Sequence, residues 1–84
     1  MNDDEMMEEE RKRMERERIE SEIRGLVSRL DAPTSDIGDW KIVKIYEARL
    51  SGESDPYDYE ELKAARQSIR DEINALQKQL VSFY

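Results

Sequence analysis

Two stretches of this chain, IESEIRGLVSRL from Ile19 and IRDEINALQKQL from Ile69, share one frame, I..EI..L...L. Apolar residues at spacings of 4, 3 and 4 fall on one side of an α-helix, so each stretch predicts a helix with a single stripe to bury. Two stripes of the same length answer the same packing problem, and laying them antiparallel against one another solves it for both. A solenoid would need at least a third unit, which the chain lacks.

What surrounds these seams limits the core. The chain has 84 residues, 37% hydrophobic and 42% charged, with no Cys and no His. One small core is the most it can bury, and no disulfide can reinforce it. Regular helix packing supplemented by an oligomer or a target is the expected source of stability, and a homodimer or higher state is the expected form. No apolar run approaches the roughly 20 residues that span a bilayer. The opening MNDDEMMEEE is acidic where a secretory signal would be basic, so a soluble protein of the cytoplasm is expected, with no membrane partner.

Punctuation divides the chain into three helices, giving an all-α fold: a small bundle of two long antiparallel helices and a short apolar connecting helix. The first runs from about Asp4 to Leu30 and stops before DAPTSDIG. Within residues 1–18 the run EEERKRMERER is almost wholly charged, with opposite charges four apart, and the segment reads as a charged, core-free helical extension; residues 19–84 read as one helical domain. DWKIVKIYEARL is rich in strand-favouring residues, but the chain offers no second strand to pair with, so helix is expected. Asp36 or Ser35 is its expected N-cap and Gly52 lies just past its end. With apolar residues around much of its circumference, it is expected at the buried centre of the molecule. PYDYEEL then opens the third helix: Asp58 as N-cap, Glu61 as its capping-box partner, and Tyr57 with Leu62 as a hydrophobic staple. The candidate core comprises Ile23, Leu26, Trp40, Ile45, Tyr57, Leu62, Ile69, Ile73 and Leu76.

Chemistry is harder to place. Without His or Cys the common nucleophile–base pairs are missing, and no serine has an evident activating base, so no catalytic residue and no cofactor are expected. Glu53, Asp55, Asp58, Glu60 and Glu61 cluster, yet lack the spacing and central Gly of an EF-hand, so no metal site is expected either. The net charge is −7, and the bases from Arg11 to Arg18 are interleaved with acids, which argues against direct DNA binding. From Asp31 to Glu61, nine acids face three bases, a local balance of −6. Such a field can steer a protein onto a basic surface, including a nucleic-acid-binding groove. Capping accounts for Asp58 and Glu61, whereas Glu53, Asp55 and Glu60 exceed what one helix start requires; with Tyr59 as an exposed aromatic anchor, they form the candidate partner-binding site.

The stretch IGDWKIVKIYEARL, followed by PYDYEEL and ARQSIRDEINALQ, resembles a pattern found in short proteins encoded by phages and prophages of Gram-positive gut bacteria. The resemblance covers about residues 37–77 and leaves the charged N-terminal helix outside it. It implies an inhibitor of host defence of the anti-CRISPR type, acting on a host protein, or a small virion or assembly factor built as a helical oligomer. A third reading, a sponge for a signalling nucleotide, would need a basic pocket, for which only Lys41, Lys44 and Arg49 are at hand.

Overall fold

A computed structural model describes residues 3–84, and among them there are three α-helices and no strand: α1 (Asp3–Asp31), α2 (Asp39–Leu50) and α3 (Tyr59–Val81). Met1 and Asn2, the start of the charged segment, lie outside the described residues.

In α1, the acidic first turn of Asp3, Asp4 and Glu5 sits where the helix dipole favours anions. Glu10 pairs with Arg13, and Arg18 bridges Glu15 and Glu22, one helical turn away on either side. These pairs support a helix half that has little to bury. The α1 and α3 stripes meet antiparallel. Arg66, near the start of α3, reaches Leu30 at the end of α1, while Tyr84 donates to Glu20 (3.3 Å) and lies under the Arg16 guanidinium. Because the last residue of the chain sits beside Arg16 and Glu20, the earlier turns of α1 project past α3. That projection is roughly 18 Å long at 1.5 Å per residue, and the molecule measures 68 × 19 × 15 Å.

The buried apolar residues are Ile19, Ile45, Ala48, Leu62, Ile69 and Ile73, with Ile19, at 1% exposure, the most enclosed. Ile23, Leu26 and Leu76 are only half-buried, as are Trp40 and Tyr57. Two helices side by side enclose the line between them and leave its flanks open.

The start of α2 differs from the sequence expectation. Its N-cap is Gly38, not Ser35 or Asp36, and no side chain caps it. The Ser35 hydroxyl instead closes the preceding turn, donating to the Arg29 carbonyl (2.5 Å) and accepting from the Ile37 N–H (3.3 Å). Gly38 is there because the backbone folds back tightly: a Cβ would lie 2.7 Å from the Ala32 carbonyl oxygen. At its other end α2 closes with a Schellman motif. Glu53 N–H bonds the Ala48 carbonyl, Gly52 N–H bonds that of Arg49, and Gly52 takes φ of 74°. The Asp58 carboxylate caps α3 by accepting from the Glu61 N–H (3.0 Å). Glu61 does not return the bond, so the capping box is half formed among the described residues, and Tyr57 turns its ring edge-on to Trp40 instead of serving as a staple alone.

Nor is α2 the buried centre. Only Ile45 and Ala48 are buried in it; the true centre is the α1–α3 line around Ile19, Ile69 and Ile73. A two-helix layer offers α2 one narrow strip to cover, and a helix apolar on several sides must leave the others in water.

Candidate protein-binding surface

The side of α2 facing away from the hairpin carries Val43, Tyr46 and Leu50, at spacings of 3 and 4, with exposures of 52%, 63% and 71%. Ile42 forms its half-buried edge. Glu47, one turn from both Val43 and Leu50, borders the stripe with an exposed carboxylate, whereas the Asp39 carboxylate at the start of the helix is turned to Arg66 of α3. Single exposed apolar residues are ordinary, but three in one stripe form a surface suited to a partner.

Next to the end of this stripe, Arg49 turns back onto the loop that follows α2. Its guanidinium makes a two-pronged ion pair with Asp55 (2.8 Å on each arm) and lies 4.8 Å from the centre of the Tyr59 ring. The hydrogen bonds from Arg49 hold the Asp55 carboxyl below the usual aspartate range, and the same bonds raise the Arg49 guanidinium. Glu60 adds to the field that keeps Arg49 charged. Of the four residues singled out as a partner site, therefore, Glu53 and Glu60 are exposed acids, and Asp55 is matched by an internal cation. Tyr59 is half-buried beneath Arg49 and not exposed as expected, which corrects its reading as a free anchor. The pairing of Asp55 with Arg49 is not visible in the sequence, because the two are brought together by the Schellman turn at Gly52.

The aromatic residues nearby hold the corner of the fold. Trp40 donates its indole N–H to the Ser35 carbonyl (2.6 Å) and meets the Tyr57 ring edge-on at 5.7 Å and 86°. Lys41 caps both rings, with its ammonium 5.5 Å from one centre and 4.7 Å from the other. Lys41 and Arg49, two of the three bases a nucleotide pocket would need, are thus already engaged by rings and by Asp55.

One residue escaped sequence reading altogether. Arg66 is 7% exposed, and it donates to the carbonyls of Leu30 (3.1 Å) and Ile37 (2.8 Å) and to the Asp39 carboxylate (2.5 Å). It ties the end of α1, the linker and the start of α2 to α3. A signal was present: in the series Leu62, Arg66, Ile69, Ile73, Leu76, Leu80 it occupies a seam position, where a charge must find internal partners or leave the core.

Among the described residues, no three carboxylates converge to hold a metal ion, and no helix is long and apolar enough to cross a membrane. No protein-family model, curated protein or solved structure matches the chain.

Proposed function

We propose that the protein acts by binding another protein, and that its partner is a nucleic-acid-binding effector of a host defence complex whose basic surface it covers in the host cytoplasm. The observation that carries this reading is the exposed Val43–Tyr46–Leu50 stripe, with the Glu47 carboxylate at its border and the exposed acids Glu53 and Glu60 in the segment that follows. An apolar stripe with acidic edges complements a groove with an apolar floor and a cationic rim. The acids supply orientation and association rate, while the apolar residues supply residence time. The defence complex as target follows from the resemblance of residues 37–77 to phage-encoded proteins. A net charge of −7 disfavours nucleic acid as the direct ligand.

Two measurements test this together. Wild-type protein immobilised in host lysate is expected to capture a basic protein, and the triple variant Val43→Ser, Tyr46→Ser, Leu50→Ser to capture none while keeping its helix content. Phage carrying that variant should lose protection against the corresponding defence system. Equal protection by variant and parent would sink the proposal and leave assembly of a helical oligomer as the better reading.

A further inference from the structure

On one flank of the α1–α3 line lies an open groove of about 510 Å³, lined by Glu22, Gly25 and Leu26 from α1 and Glu72, Ala75 and Leu76 from α3. These are the same positions of the shared frame on the two helices, so each wall presents a carboxylate, a small residue and a leucine in that order. Gly25 has no reason inside the chain: a Cβ there would meet nothing within 4 Å, yet glycine in a helix interior costs about 1 kcal/mol relative to alanine. A hole kept open and empty on this wall points to something outside the chain.

We infer that a second copy of this chain fills the groove, with the twofold axis running along the bundle so that α1 of one copy lies over α3 of the other. That symmetry preserves the antiparallel level at which α1 and α3 already meet. It places Leu26 over Ala75 of the second copy and Leu76 over Gly25, a large residue against a small one at both steps. It also places Arg29, on the same side of α1 as Gly25 and Leu26, beside Glu72 of the second copy. Neither Arg29 nor Glu72 has a side-chain ion pair within the chain among the described residues. The result is a four-helix arrangement in which the half-buried leucines of each hairpin become core. The surface is separate from the α2 stripe, and the inference does not depend on the partner proposed for that stripe.

Light scattering of the full chain at high micromolar concentration is expected to give twice the chain mass. Gly25→Leu should give the single-chain mass with unchanged helix content, because its side chain enters space that is open in one chain and filled in two. Arg29→Glu and Glu72→Arg should each weaken association about tenfold, since the twofold makes the pair twice. The combined Arg29→Glu, Glu72→Arg chain should recover it. A wild-type chain that stays single, a Gly25→Leu chain that still doubles, or a combined reversal that fails to recover would each overturn the inference.

Discussion

Arg66 and Asp39, 27 residues apart in sequence, meet through a 2.5 Å charge-assisted hydrogen bond in which the cation is buried and the anion largely exposed. The asymmetry says where the energy lies. Asp39 keeps water as an alternative partner, whereas the Leu30 and Ile37 carbonyls depend on Arg66 for theirs. Arg66→Ala should therefore cost about 2–4 kcal/mol, and Asp39→Asn less than about 1 kcal/mol. Arg66→Lys should fall between, because an ammonium lacks the fork that serves three acceptors at once. Urea unfolding of the three variants orders them, and an Asp39 variant as damaging as Arg66→Ala would contradict this account.

Within α2, the two sides should respond oppositely to substitution. Ile45→Asp buries an unpaired charge and should unfold the chain at room temperature. Val43→Ser and Leu50→Ser should shift stability by no more than about 0.5 kcal/mol each, since both side chains are already in water. Thermal melts followed by circular dichroism separate the two cases.

The Arg49–Asp55 pair gives a pH signature of known sign. The Asp55 carboxyl is depressed in the folded state, so its contribution is present above the usual aspartate range and is lost as pH falls through the depressed value. The melting temperatures of wild type and Asp55→Asn should differ most at neutral pH and converge on acidification. A gap that widens in acid would reverse the assignment. Because both groups are exposed to water, salt should narrow the gap at neutral pH.

Removing residues 1–14 should leave the melting temperature nearly unchanged, whereas removing 1–18 should lower it. The longer cut deletes Arg16, which stacks on Tyr84, and Arg18, which ties Glu15 to Glu22, and it leaves the buried Ile19 at a fraying end. Equal melts for the two truncations would show that the Arg16–Tyr84 contact contributes nothing.

The long helices and their pairing are legible in the sequence because Ile19 to Leu30 and Ile69 to Leu80 each point one apolar stripe in one direction. The α3 start is legible for the same kind of reason: Asp58 and the N–H it caps are three residues apart. What is not legible depends on contacts between distant residues. In α2, Ile42, Val43, Ile45, Tyr46 and Leu50 surround the axis, and nothing local says that only Ile45 will be fully covered. The pairing of Arg49 with Asp55 requires the turn between them, and the role of Gly38 requires the return of the chain to Ala32. The acids of the loop are conspicuous in the sequence by residue type, whereas the exposed stripe of α2 is made of residues that elsewhere would be core.

The triple anchorage of Arg66 also bears on the order in which the chain can assemble as it is made. The carbonyls of Leu30 and Ile37 and the carboxylate of Asp39 leave the ribosome well before the guanidinium that joins them, which belongs to the last helix. Until α3 emerges, α1 has no seam to lie on, and its joint with α2 has no clasp. The contacts of Arg66 with Leu30, Ile37 and Asp39 can therefore form only after all three earlier segments have been made.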